Sequence, residues 1–136
     1  MVRIQLPLGA LLIGGLTLFG SIVVAQEHTK DSLDTVKKAL VERKAVLIDV
    51  REKSEWESGH LKDAKLLPLS SLKAETLPAD LATLFPKDKV AYLHCAAGGR
   101  CLKAAEILRK QGYEVRALKA GYKTLLKEGF PAAESK

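Results

Sequence analysis

"KVAYLHCAAGGR", residues 89–100, is the stretch that decides the fold. The apolar run Val90–Leu93 passes straight into His94 and Cys95, and then the side chains almost vanish through Ala96, Ala97, Gly98 and Gly99. A continuous apolar run of this kind reads as a parallel strand covered on both faces. Arg100 to Gln111 follows as a helix, with Leu102, Ala105 and Leu108 sharing a face and Gly112 as its stop. Strand, short loop, helix is the geometry in which the unpartnered first amides of a helix converge, and the helix dipole favours negative charge there. Small residues let such a loop curl into an anion nest, and Gly98 and Gly99 permit the backbone conformations that it requires. A thiol at its centre should lose its proton easily, because the thiolate is the anion being stabilised. The loop is plain because its backbone carries the chemistry.

Working outward, "AVLIDV" (residues 45–50) is a second buried strand. Ser32 to Glu42 is an amphipathic helix with Leu33, Val36 and Leu40 on one face. "SEWESG" (54–59) reads as a short helix, with Ser54 and Glu57 at capping-box spacing and Gly59 as its stop. "KLLPL" (65–69) is a short strand whose Pro68 marks an edge or an end. Leu77–Phe85 reads as a helix, "EVRAL" (114–118) as a strand, and Tyr122–Glu128 as a last helix with Leu125 and Leu126 inward. Strands alternate with helices, so the fold class is α/β with a mainly parallel central sheet and helices on both faces. Ligands of such sheets sit beyond the carboxyl ends of the strands, where Cys95 stands. The domain runs over residues 32–129, between a polar leader at 26–31 and a loose tail at 130–136.

Arg3 precedes an uncharged stretch from Ile4 to Ala25, which gives a basic start, an apolar run and small residues at its end. Val23-Val24-Ala25 suits cleavage before Gln26, so residues 1–25 read as a signal peptide. The alternative is an uncleaved N-terminal anchor, because about 20 apolar residues can span a bilayer. Either reading puts the folded part outside the cytoplasm, in the periplasm or an equivalent space, with membrane contact only if the segment stays on. The formal net charge is +6, of which Arg3 supplies one. The basic residues form no run and have no aromatics interleaved, which argues against nucleic acid and leaves an attraction for small anions. His94, Cys95 and Cys101 offer only three metal ligands in one turn, so no metal and no cofactor is expected.

Three motifs now line up. Asp49-Val50-Arg51, Glu55-Trp56 with Gly59-His60, and Cys95 with Gly98 and Arg100 stand in the order found in rhodanese domains, and the chain resembles that family from about Asp31 to Glu128. The resemblance implies a single-domain sulfurtransferase in which Cys95 is the nucleophile. A small anionic donor such as thiosulfate would give its outer sulfur to Cys95 as a persulfide, and a thiol or cyanide would accept it. The amides of Ala96, Ala97, Gly98, Gly99, Arg100 and Cys101 would cradle that sulfur, and Arg100 would hold the donor's anionic end. Asp49 and Arg51 would brace the site.

Two other functions use the same residues. Dual-specificity phosphatases of a similar fold carry H-C-x5-R, and His94-Cys95 with Arg100 gives H-C-x4-R, one residue short for a phosphate or arsenate. A non-catalytic module that binds a partner or senses oxidants is the other alternative. Plainer roles stand beside the functional ones. Arg100 at a helix start needs an anion to meet. His94 either tunes the thiol or packs with its polar atoms bonded, His60 fixes a turn, and Trp56 anchors its helix in the core. Asp49 and Arg51 pair with each other or with Glu55, and Tyr122 and Lys119 flank the pocket mouth or, for Tyr122, fill the core. Cys95 is expected at an exposed turn. Cys101, where many rhodaneses carry serine, either fills that place or acts as a resolving thiol that closes a Cys95–Cys101 disulfide.

Overall fold

The two apolar runs pair at the centre of a parallel sheet. In the computed structural model, which describes residues 26–74 and 79–134, β1 (Ala45–Asp49) and β3 (Val90–His94) lie side by side, with Ala45 opposite Val90 and Asp49 opposite His94. β2 (Ala64–Leu66) flanks β1, and β4 (Val115–Ala117) flanks β3, giving the order β2-β1-β3-β4 with every pair parallel. The helices are α1 (Leu33–Val41), α2 (Lys53–Glu57), α3 (Leu69–Lys73), α4 (Gly99–Lys110) and α5 (Tyr122–Lys127). Pro68 ends the β2 segment and stands as the N-cap of α3. A short 3-10 helix, Leu81–Leu84, is the described part of the stretch expected as a helix over 77–85, whose first two residues lie outside the described ones. The export segment, residues 1–25, also lies outside them.

Successive strand side chains point to opposite faces, and each face has its own core. Ile48, Val50, Ala91, Leu93 and Cys95 pack with Leu72 of α3 and with Ala104, Ala105 and Leu108 of α4. Ala45, Leu47 and Tyr92 pack with Val36 of α1, Leu125 of α5 and Phe130. Burying a Val, Leu, Ile or Phe stabilises by roughly 1.5–3 kcal/mol relative to exposure, so the doubly covered sheet is the fixed base from which the loops project. The thiol of Cys95 therefore falls on the α4 side, while His94 leaves the strand toward the other.

Four expectations are corrected. The inward face of α4 is Cys101, Ala104, Ala105 and Leu108, with Leu102 only partly buried, because Leu93 and Ile48 already fill the space and small residues suit the remainder. The cap of α2 is Glu52, whose backbone N–H donates to Glu55 Oε2 at 3.0 Å, and Ser54 lies inside the helix. Trp56 is half-buried and stacks on His60, with ring centroids 3.7 Å apart, outside both cores. The tail is not loose where it is described. Phe130 is buried, Lys62 N–H donates to Pro131 O and Ala133 N–H to His60 O (both 2.9 Å), and Leu61 bridges Ala132 in antiparallel fashion. Those bonds use backbone groups, which Pro-Ala-Ala reveals nothing of in its side chains. Among the described residues no helix is long and apolar enough to cross a membrane.

Candidate active site

β3 delivers Cys95 to the carboxyl end of the sheet, and the chain turns through Ala96–Gly98 into α4. The turn closes only because Gly98 takes φ +91°, a conformation that side chains disfavour. A Cβ there would also meet Lys119 O at 2.8 Å. Gly121 is required from the opposite wall, where a Cβ would drive into the carbonyl of Ala96. Tyr122 N–H donates to Cys95 O at 2.8 Å and pins the strand end to the start of α5.

At the centre Gly98 N–H donates to Cys95 Sγ at 3.0 Å. A hydrogen bond from the Cys101 thiol, joined by the amides of Cys101, Ala97 and Gly98, holds the Cys95 thiol down to about 5 from its ordinary 9.0, against the opposing effect of burial. Cys101 is shifted the other way: a proton held beside that thiolate, in a buried site, is hard to remove. Both thiols are free, and both are buried. Cys95 is 1% exposed, not at an open turn as expected, while Ala96, Ala97 and Gly99 above it are exposed. The sulfur is recessed beneath a thin, solvent-facing loop.

The supporting residues are brought together, with altered partners. Asp49 and Arg51 form a buried pair, with Arg51 Nη2 2.7 Å from Oδ2 and the Arg51 backbone N–H 2.9 Å from Oδ1. Arg51 Nη2 also reaches Gly59 O at 2.8 Å, and its guanidinium lies 4.1 Å from the centre of the Tyr122 ring. Arg51 thus ties the β1 end, the turn after α2 and the start of α5 into one wall. His94 is buried, and its Nδ1 stands 3.4 Å from Cys95 O. Burial pushes its pKa down, so the ring is neutral, and Nε2 has no hydrogen-bond partner at 3.6 Å from Asp49 Oδ2. Lys119 is exposed.

Arg100 is the principal surprise. Its two terminal nitrogens donate to the two carboxylate oxygens of Glu55 at 2.6 and 2.8 Å, a bidentate pair that draws Glu55 down to about 2. The cation expected to meet a donor anion is already engaged by α2. Sequence reasoning left Glu55 as one partner option for the Asp49–Arg51 pair and missed its role here. The available signal was a cation in the first turn of α4 that needed an anion. His28 was missed altogether: its Nε2 lies 2.8 Å from Gly98 O, and nothing in its neighbourhood along the chain points to that contact.

A doubly covered parallel sheet that ends in a buried thiol of lowered pKa, beside the amides of the loop that follows it, defines an α/β domain with its candidate site at the carboxyl end of β3. The chain belongs to the rhodanese-like domain family, which it matches over residues 32–128. It is similar to the uncharacterized protein YqhL of Bacillus subtilis, at 45% identity over 82 residues, 60% of each chain. It also resembles the "Probable adenylyltransferase/sulfurtransferase MoeZ" of Mycobacterium tuberculosis, at 37% identity over 71 residues, 52% of this chain and 17% of that one. Among solved structures the human single-domain sulfurtransferase TSTD1 superposes with a TM-score of 0.61 at 29% identity, covering 72% of this chain and 95% of that one. The chain thus spans 60% of YqhL and less than a fifth of MoeZ, and its relatives include sulfurtransferases.

Proposed function

We propose that this protein is a sulfurtransferase that carries sulfane sulfur on Cys95 between a small anionic donor, such as thiosulfate, and a thiophilic acceptor. The observation that carries the proposal is the Cys95 sulfur at the focus of the Ala97, Gly98 and Cys101 amides, with its pKa near 5. A thiolate present at neutral pH attacks the outer sulfur of thiosulfate, the S–S bond of the donor breaks, and sulfite leaves with the bonding pair. The persulfide then lies under the exposed amides of the loop, where its charge meets inward-facing N–H groups. A thiol or cyanide attacks the outer sulfur, and Cys95 returns as thiolate.

Arg100 enters this scheme as the brace that fixes the first turn of α4, with its charge balanced by Glu55. Intact mass measurement after incubation with thiosulfate tests the proposal. One added sulfur atom on the parent protein, absent from Cys95→Ser and removed by cyanide, is the expected result. No adduct, or efficient hydrolysis of an aryl phosphate by the unaltered protein, overturns it. The proposal includes an extracytoplasmic site of action, supported by Arg3, the apolar run and Val23-x-Ala25. N-terminal sequencing of native material should start near Gln26, and an intact Met1 in membranes would favour the anchor.

A further inference from the structure

The leader at residues 26–31 precedes the family match, which begins at residue 32, yet it is built into the site. His28 is half-buried, with Nε2 2.8 Å from Gly98 O. A carbonyl oxygen only accepts, so Nε2 carries the hydrogen and donates. Two further ties hold the leader in place. Thr29 N–H donates to Ala117 O at 2.7 Å, at the end of β4. The Asp31 carboxylate accepts from Tyr92 Oη at 2.6 Å and from Arg116 Nη1 at 2.7 Å. His28 is therefore presented by a segment docked immediately after it, through the Thr29 backbone and the Asp31 side chain.

The carbonyl it meets is a sensitive one. Gly98 O shares its peptide unit with Gly99 N–H, in the first turn of α4, and donation to the oxygen polarises that amide as a donor. Gly98 itself supplies the N–H that lies 3.0 Å from Cys95 Sγ. Cys101 carries one S–H hydrogen with three acceptors in reach: Gly98 O at 2.9 Å, Leu118 O at 3.1 Å, and the Cys95 sulfur. Gly98 O thus meets His28 Nε2 and Cys101 Sγ together, and the His28 contact fixes where that carbonyl, and the thiol resting on it, stand beside Cys95.

We infer that His28, reaching from the leader, is a positioning residue of the active site, holding the Gly98 carbonyl so that the loop amides and the Cys101 thiol stay directed at the Cys95 sulfur. The role acts on the free thiolate, and only its consequence for turnover rests on the sulfur-carrier reading. The test compares the parent with His28→Ala, His28→Asn and His28→Gln as full chains. Thiolate absorbance in the ultraviolet is followed against pH, together with the unfolding temperature and thiosulfate-to-cyanide transfer. A Gln amide places a donor near the position of Nε2, and the shorter Asn does not reach it. The Ala and Asn variants should therefore titrate at higher pH, with about threefold fewer thiolates at the parent's midpoint, and the Gln variant should recover the parent's midpoint. A midpoint unchanged in His28→Ala overturns the inference, and so does a shift in His28→Gln equal to that in His28→Ala, which reduces His28 to packing. If no variant, nor the parent, transfers sulfur while the midpoints move as stated, the carrier reading falls and the positioning role stands.

Discussion

Cys95 gathers in one atom what the surrounding loop is made for, and its titration is the most direct check of the site. With a pKa near 5 the sulfur is ionised throughout the neutral range, so the alkylation rate by iodoacetamide should rise with a midpoint near pH 5 and stay flat from about pH 7 upward. A midpoint near the ordinary thiol value refutes the cradle. Cys101 is argued at the same scale. After persulfide formation its thiolate can attack the inner, Cys95 sulfur, break the S–S bond and expel hydrosulfide. The product is a Cys95–Cys101 disulfide: the sulfane sulfur is reduced and the two thiols are oxidised, with no outside oxidant. Because the proton of Cys101 is tightly held in the free protein, this closure should be slow relative to transfer to an added acceptor. Loaded parent protein, left without acceptor, should lose activity while releasing sulfide, and thiol reductant should restore it. Cys101→Ser should keep its persulfide and its transferase activity, and equal inactivation of both proteins would remove the resolving role from Cys101. Cys95 and its loop were legible because strand, small residues and helix follow one another directly. Glu55 and His28 were not, since they reach the loop across 45 and 70 residues of chain.

Between elements, the tie that matters most is the one from α2 to α4. Glu55 and Arg100 are each about a third exposed (35% and 34% of the side chain), so solvent screens the pair, and its worth is about 1 kcal/mol or less. The sign of its pH dependence follows from the depressed carboxyl. The folded-state pKa is about 2 against an ordinary 4.5, so the contribution is present in full above pH 4.5 and is lost as pH falls toward 2. Glu55→Gln should lower stability modestly at neutral pH and flatten the loss between pH 4.5 and 2, as read from denaturant midpoints across that range. A parallel acid profile for parent and variant would show that the pair contributes nothing. The same helices mark how far pattern reading goes. β1 and β3 announce themselves as apolar runs because both faces are covered. α2 is only five residues long, too short for periodicity, so its cap was placed two residues late and its tryptophan was assigned to the core. The face of α4 was legible in part: Ala105 and Leu108 do turn inward, but Cys101 and Ala104 complete it in place of Leu102, and a count of large apolar residues passes over them.

At the level of the whole molecule, the sheet is held by segments at both ends of the described chain as well as by its helices. Thr29 and Asp31 fasten the leader to β4 and to Tyr92. At the other end the tail returns along residues 60–62, and Ala133 N–H binds His60 O, one residue from the Gly59 carbonyl that receives Arg51. The tail thereby backs the wall on which the Asp49–Arg51 pair rests. Phe130 is the hydrophobic part of this clasp: it is 4% exposed and packs in the core of Val36, Leu47 and Leu125, with Lys37 Nζ 5.9 Å from its ring centre. Truncating a buried phenylalanine removes its transfer energy and leaves a cavity, so Phe130→Ala should cost about 3–5 kcal/mol. Deleting the residues beyond Phe130 removes the bonds of Pro131 and Ala133 at about 0.5–1.5 kcal/mol each, and the loss should be correspondingly smaller, about 1–3 kcal/mol. Urea unfolding of the parent and both variants separates the two contributions. A free tail would leave both changes within about 0.5 kcal/mol of the parent, whereas a large loss for Phe130→Ala with a smaller one for the deletion places the C-terminal boundary of the domain beyond residue 130.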